Sequence, residues 1–485
     1  MRGWRELKRE KQYNTNKERM ADFSFSNLNF KEIFDEENNK GSLKKSDFPD
    51  SYWTEIETLR EIKDKLKTEK DRHSNEYLEL KSIKREVNEK ISLILNNHID
   101  DIVKIVNTKG FQLNTVKNTE NDDESKPIYT VNGIESKLVA KHILKSLHKI
   151  YKVKPGNRNQ ILSQLKMILS DKSPKYLIRT DLKGFYESIP QDKLLKTLDN
   201  SGLLFPDTKR IIKHVFQEYN KLENNEEDLG IPRGISFSAY LSEIYMQRID
   251  EEIQNLPGIL FYARYVDDII LISINQDYST NLETIFNEHY LKLNWEKTIK
   301  FDLTTTSYNY TFSYLGYLIR IKCDSDNSID VEFYLTKDKV DNYKQRILTA
   351  FKAYTHLSRY KSANAQNKLY NCLYFLTRNS FLGGAKNGVR VGIFWSNKFL
   401  TSTKQLVSLD EYLYSCIDNA TIFKPYDKLF NYPQGSLYTK KVEDFKTDLK
   451  DRFSFVKGFE EIRFHQFTLN DYKEMHRVFN YEEKA

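Results

Sequence analysis

Residues 261–272, FYARYVDDIILI, constrain this chain more than any other stretch. A mostly apolar, aromatic run enters two adjacent carboxylates, Asp267 and Asp268, and an apolar run leaves them. Alternation and β-branched content predict a strand on each side. The Tyr265-Val266-Asp267-Asp268 step is then the tight turn of a β-hairpin. Two carboxylates at the tip of a buried hairpin are costly unless a cation offsets them. A divalent metal is the natural partner for such a cluster. The competing reading is a solvent-exposed turn with two ordinary acids.

The rest of the chain narrows the setting. A length of 485 residues predicts about three domains, or one multi-lobed enzyme. Lys and Arg number 76 against 69 Asp and Glu, a net charge of +7. That excess is compatible with a nucleic-acid partner and does not require one. The 31 Tyr and 29 Phe serve base stacking or, more commonly, core packing. Cys323, Cys372 and Cys416 are too widely spaced for a disulfide framework or zinc site, so a reducing, intracellular setting is expected. The charged N-terminus lacks the apolar segment of a signal peptide, and no run approaches the roughly 18 apolar residues of a membrane span.

Taken in order, residues 1–50 are polar and read as a partly ordered arm. Residues 53–106 carry apolar positions at threes and fours (Ile56, Leu59, Ile62, Leu66; then Leu80, Ile83, Val87, Ile91, Ile94). They predict amphipathic helices, a helical hairpin packed on the main body. Residues 111–116 and 128–131 read as short strands, and Ile134–Tyr151 as a helix. After the breaker segment KPGNRNQ, residues 161–169 form a helix and Tyr176–Asp181 a strand that ends in a carboxylate. Helices are expected over 190–200 and 208–222. The loop of Gly230, Pro232 and Gly234 feeds a further helix, whose start can present N–H groups to an anion. Beyond the acidic hairpin come a helix over 281–291, Lys297, and a strand over 311–321 with a turn at Gly316. After Leu335 the pattern is helical to about residue 420, interrupted by a Gly-rich patch at 381–394.

Each piece is weak alone; the order is specific. A strand ending in Asp181, the IPRG loop and helix, Tyr-Val-Asp-Asp, Lys297 and the aromatic-Leu-Gly-Tyr strand resemble the palm motifs of reverse transcriptases. The resemblance implies an α+β right-hand polymerase of fingers, palm and thumb, with an antiparallel palm sheet. It places a helical extension at 1–106, fingers and palm at 107–330, a helical thumb at 331–420 and a C-terminal extension at 421–485. It implies RNA-directed DNA synthesis from deoxynucleotides through two Mg²⁺ ions. Asp181 and Asp267 would bridge the ions, Asp268 would assist, and the Leu182 carbonyl would complete the nucleotide-side shell. Lys297 would protonate pyrophosphate. Tyr186 would be the ring that excludes a 2′-hydroxyl. Arg158 would hold the triphosphate, with Lys126 and Lys154 as weaker candidates. Arg233 and Gly234 would lie at the nucleotide, although Arg233 stands where the family usually has Gln. Phe312, Tyr314, Leu315, Gly316 and Tyr317 match the primer grip.

The wording FYESIP, GIPRGISFSAYLSEIYM and YARYVDD is most similar to bacterial defence-associated reverse transcriptases, related to the abortive-infection polymerases. Within them it resembles the third type, whose systems hold two polymerases and a noncoding RNA. That implies an RNA template, a DNA product, a second reverse transcriptase, homo- or hetero-oligomers, and a cytoplasmic, antiphage role without a membrane. Two alternatives stay open: a retron-type reverse transcriptase, whose Asn-Ala-x-x-His and Val-Thr-Gly elements are not visible, and a nucleic-acid-binding scaffold with an inactive palm.

Overall fold

A computed structural model describes residues 22–69, 71–118, 127–200, 202, 204–274, 276–325, 328–358, 362–382, 389–419 and 437–479. Lys126 and the centre of the Gly-rich patch lie outside them. The chain divides into two compact units. One comprises residues 1–156, 180–269 and 278–298, the other residues 157–179, 270–277 and 299–485.

The first unit opens on α1 (Asn27–Lys40), where the sequence suggested a partly ordered arm. Ser26 caps its start, and Gly41, in the left-handed region, ends it. Phe30, Ile33 and Phe34 are buried at i, i+3 and i+4, a single apolar stripe outweighed by polar neighbours in the composition. Lys145 on α4 (Ile134–Tyr151) bridges Glu32 and Glu36 on α1. Helices α2 (Asp50–Thr68) and α3 (Asn75–Val106) form the expected hairpin. Its stripe packs across the hairpin itself, Leu59 and Ile62 with Val87. Only the base of α3 (Ile99, Ile102, Val106) joins the core. The strand expected over 111–116 is shorter and later, β1 (Thr115–Lys117), paired antiparallel with β2 (Tyr129–Val131).

Chain order continues with α5 (Arg158–Leu169), β3 (Tyr176–Asp181), the short α6 (Phe185–Ser188), α7 (Gln191–Asn200), α8 (Pro206–Glu223) and α9 (Ser238–Gln254). Helix α5 begins three residues before expectation because Asn157 accepts from the Asn159 and Gln160 amides and caps it. Helix α9 is buried along most of its length, through Leu241, Ile244, Met246, Ile249 and Ile253. Then come β4 (Ile259–Tyr265), β5 (Asp268–Ser273), α10 (Ser279–Glu288) and β6 (Ile299–Asp302). Four strands pair in the order β4-β5-β3-β6, with β3 and β6 antiparallel. Their β5 segment, Ile269 to Ile272, is wholly buried. Strand β6 was not anticipated, since four residues carry too little pattern.

The second unit contains a three-stranded antiparallel sheet, β7 (Tyr308–Tyr314), β8 (Tyr317–Cys323) and β9 (Ile329–Leu335). Along β8, Tyr317, Ile319, Ile321 and Cys323 are buried and the intervening residues are not, the period of a half-covered strand. Helices α11 (Lys337–Ser358), α12 (Ser362–Thr377), α13 (Ile393–Asn397), α14 (Lys404–Asp418), α15 (Leu437–Arg452), α16 (Phe455–Glu460) and α17 (Leu469–Phe479) enclose a core of Ile347, Phe351, Leu373, Leu409, Leu413 and Phe453 among others. A small hairpin, β10 (Asn379–Leu382) with β11 (Val389–Gly392), was also not anticipated. None of the three cysteines is in a disulfide, and all three are buried. Among the described residues no helix is long and apolar enough to cross a membrane.

Candidate active site

Strand β3 delivers Asp181 to its end with 9% of its surface exposed. The next residue stitches three segments together. The Leu182 amide donates to the Asp267 carbonyl at 3.2 Å, and Leu182 pairs antiparallel with Leu293. The flanking bonds are Asn294 N–H to the Asp181 carbonyl (2.9 Å) and Lys183 N–H to the Lys292 carbonyl (2.9 Å), so this pairing leaves the Leu182 carbonyl unused. The Asp181 carboxylate is asymmetric. Its Oδ2 accepts from Lys297 Nζ at 3.3 Å and from Asn294 Nδ2 at 3.4 Å. Its Oδ1 is buried and has no hydrogen-bond partner among the described residues.

The acidic hairpin forms as expected, with Val266 and Asp267 as its two connecting residues. Its tip is half-buried rather than buried, and Tyr265 is exposed. A turn carrying charge stays in reach of solvent, which lowers its desolvation cost. Val266 adopts φ +60°, a conformation rare for a β-branched residue and worth about 1–3 kcal/mol of strain. What holds it is Arg264, 8% exposed. Its Nη1 donates to the Val266 carbonyl at 2.8 Å and to Glu243 Oε1 at 3.0 Å. Its Nη2 donates to Glu243 Oε2 at 2.8 Å and Asp250 Oδ2 at 2.7 Å, and its Nε to Asp250 Oδ1 at 3.0 Å. Burial works against the charge, but the bonds to Asp250 and Glu243 outweigh it and raise the guanidinium pKa.

Tyr186 follows β3 on α6. The Ile231 amide donates to the Tyr186 carbonyl at 2.8 Å, drawing the IPRG loop against it. The Arg233 guanidinium lies 5.1 Å from the Tyr186 ring centroid. Burial raises the Tyr186 pKa; Ser242 and Arg233 oppose the rise, while Glu243 and Asp267 add to it. Gly234 has φ +104°, and a Cβ there would meet the Tyr129 carbonyl oxygen at 2.5 Å. The neighbouring Arg233 carbonyl accepts from Tyr129 N–H at 2.7 Å. Glycine is thus required here for close approach to β2.

In the second unit, residues 312–317 form the β7–β8 hairpin, with Tyr314 opposite Tyr317. Leu315 (φ +46°) and Gly316 (φ +75°) give it the backbone of a type I′ turn. Phe312, Tyr314, Leu315 and Tyr317 are buried, which leaves Ser313 and Gly316 exposed. Arg158, at the first position of α5, sends Nε (3.0 Å) and Nη2 (2.7 Å) to the Leu315 carbonyl, and its guanidinium lies 5.1 Å from the Tyr317 ring centroid.

The expected residues therefore fall into separate groups. Asp181, Leu182, Asp267 and Lys297 meet directly, and Tyr186 sits in electrostatic range of both Asp267 and Arg233. Arg158 joins Leu315, Gly316 and Tyr317. Sequence reasoning missed Arg264, Glu243, Asp250 and Asn294. Arg264 left a signal, a lone cation in an otherwise apolar strand, which demands a buried partner.

Among the described residues no three His, Cys, Asp or Glu side chains are arranged to hold a metal by themselves. Magnesium does not need such a cage. It commonly takes one or two carboxylates and fills its octahedron with waters and substrate phosphates. The unpartnered Oδ1 of Asp181 is a hard oxygen donor of that kind, so the residues present fit the ion.

Residues 116–319 match the family described as reverse transcriptase (RNA-dependent DNA polymerase). A retron Ec83 reverse transcriptase from Escherichia coli is 28% identical over 107 residues, which cover 22% of this chain and 34% of the relative. The match thus spans about a third of that protein's length. The solved structure of apo telomerase from Candida tropicalis, truncated from its C-terminal domain, is similar at 17% identity and a TM-score of 0.28, covering 40% of this chain and 44% of that one. The family match and the antiparallel sheets together fit a palm-type polymerase fold of mixed α+β class.

Proposed function

We propose that this chain is an RNA-directed DNA polymerase that extends a primer with deoxynucleotides. The observation that carries the reading is Asp181, whose buried Oδ1 lacks a hydrogen-bond partner among the described residues, next to Leu182, which bonds to the Val266–Asp267 turn. Two Mg²⁺ ions held by Asp181, Asp267 and the Leu182 carbonyl, with Asp268 auxiliary, would activate the primer hydroxyl and steady the departing pyrophosphate. Lys297 and Asn294 orient the Asp181 carboxylate through Oδ2 and leave Oδ1 to the site. We also assign Lys297, whose side chain is 62% exposed, to deliver a proton to pyrophosphate. Tyr186, braced by Arg233, presents a ring that rejects a 2′-hydroxyl. The Leu315–Gly316 turn sets the primer end through backbone, because the surrounding rings are buried. We assign residues 1–106 to a helical extension, 107–330 to fingers and palm, 331–420 to the thumb and 421–485 to a C-terminal extension.

In the cell we assign the enzyme to the cytoplasm and to antiphage defence, copying a noncoding RNA, with a second reverse transcriptase or another copy of itself as partner. A retron-type role is the second reading, favoured by the match to the retron Ec83 protein. Sequencing the nucleic acids that copurify with the protein separates the two, and plating of phage on cells with and without the gene tests the defence role.

The polymerase reading is tested by Asp267→Asn with Asp268→Asn. Incorporation should fall by about a thousandfold or more with the thermal midpoint retained. Normal polymerisation by the double variant would overturn the metal-site assignment. Tyr186→Ala should admit ribonucleotides in single-nucleotide assays; unchanged sugar discrimination removes Tyr186 from the nucleotide site.

A further inference from the structure

From Asn342 to Leu409 the sequence holds eleven Lys and Arg and not one Asp or Glu. A stretch so one-sided, in a chain whose total excess is only +7, has the charge that a polyanion meets. Within it the β10–β11 hairpin has two unlike faces. Asn379 of β10 also pairs in parallel with Phe464: Asn379 N–H donates to the Arg463 carbonyl and His465 N–H to the Asn379 carbonyl, both at 2.8 Å. Residues 463–465 thus run along β10 as a third extended segment. One face turns inward. Ser380 Oγ meets the Tyr472 hydroxyl at 2.8 Å, and the His465 ring stacks on Tyr374 of α12 with centroids 4.1 Å apart. The other face carries a row of flat groups, since paired residues share a face and so do residues two apart. Phe464, 44% exposed, stacks on Phe381 with centroids 4.8 Å apart and planes 14° from parallel. Arg390 stands opposite Phe381 across the hairpin, is exposed, and holds its guanidinium 4.9 Å from the Trp395 ring centroid. Among the described residues Arg390 forms no ion pair.

We propose that the row of Phe464, Phe381, Arg390 and Trp395 is a stacking platform for single-stranded RNA. A lone exposed Phe would be ordinary. A stacked pair continued by a guanidinium and an indole offers planar faces to planar ligands. A base turns its face to a protein where it is not already stacked in a duplex, which selects a single strand. The acid-free stretch around the row complements the phosphates of that strand. The choice of RNA rests on the polymerase reading: template not yet copied is unpaired RNA, whereas the new DNA leaves the site paired with it.

The test measures binding of a fluorescein-labelled oligouridylate of about 15 nucleotides, by anisotropy across a salt series, to wild type, Phe464→Ala, Arg390→Gln and Arg390→Lys. Phe464→Ala should weaken binding about tenfold with the salt slope kept, because it removes a stacking face and no phosphate contact. Arg390→Gln should weaken binding and lower the salt slope by about 0.7. Arg390→Lys should restore the slope but not the full affinity, because an ammonium has no plane to stack. Unchanged RNA affinity in Phe464→Ala and Arg390→Gln, both folded by their thermal midpoints, overturns the platform. Losses confined to the matching oligodeoxythymidylate would assign the face to DNA, and unchanged RNA binding with a smaller sedimenting species would assign it to a second copy of the chain; either result overturns the RNA reading. Binding is read without incorporation, so these failures are distinct from loss of the polymerase reading, which the Asp267/Asp268 double variant tests separately.

Discussion

Two tight turns, Val266–Asp267 and Leu315–Gly316, are built alike and stabilised differently. Each connects a hairpin through two residues, and each puts a non-glycine residue at positive φ. In each, the carbonyl of that residue accepts from an arginine: Arg264 for Val266, Arg158 for Leu315. Arg264 lies two residues away in sequence and is neutralised by Glu243 and Asp250 within hydrogen-bond distance. Arg158 comes from 157 residues away and shares the Tyr317 ring with a second cation, Lys339. The first turn is thus held by a closed network of one cation and two carboxylates. At the second, neither cation forms an ion pair among the described residues.

The largest test of this contrast is removal of each arginine. Arg264→Met leaves Glu243 and Asp250 without their counter-ion and should cost about 3–5 kcal/mol in urea denaturation. Arg158→Met removes bonds to one carbonyl and relieves repulsion with Lys339, so it should cost only about 1 kcal/mol. Equal losses would break the comparison.

A smaller effect comes from glycine at the positive-φ positions. Val266→Gly relieves strain at a half-exposed site and should stabilise by about 1 kcal/mol, while slowing incorporation because the turn carrying Asp267 loosens. Leu315→Gly relieves the same strain but gives up a side chain 8% exposed, worth about 1.5–3 kcal/mol, so its net effect should be destabilising. A thermal melt of each, with opposite signs expected, sharpens the difference between the turns.

A separate effect is a pH dependence. Lys339 has a folded pKa lowered to about 8 from an ordinary value of 10.5. Between those values the unfolded chain binds more protons, so stability should rise with pH across that window. Below about pH 8 both states are protonated, and the full cost of burying the charge is present. Lys339→Met should flatten this rise in denaturation curves measured from pH 7.5 to 10, while an unchanged slope would show that the ammonium is not destabilised in place.

Much of this was legible in the chain. Tyr176–Asp181 and Ile134–Tyr151 fall where periodicity put them, since long apolar repeats bury one face whatever else the chain does. The turn expected at Gly316 is present, because Leu-Gly between alternating runs carries its own backbone chemistry. Helix α1 was missed because three buried apolar residues were diluted by charge, and β6, β10 and β11 because four residues carry too little pattern.

By itself the sequence determined the order of the motifs and the hairpin that carries Asp267, because strand alternation and turn chemistry are local. Only tertiary structure decided that Asp181 keeps one buried oxygen unpartnered among the described residues while Lys297 and Asn294 occupy the other. Only it decided that Arg264 meets two carboxylates while Arg158, alike in type, meets a carbonyl and an aromatic ring. Those outcomes depend on which distant groups share a low-dielectric space, and the electrostatics of such a space is a sum over neighbours in three dimensions.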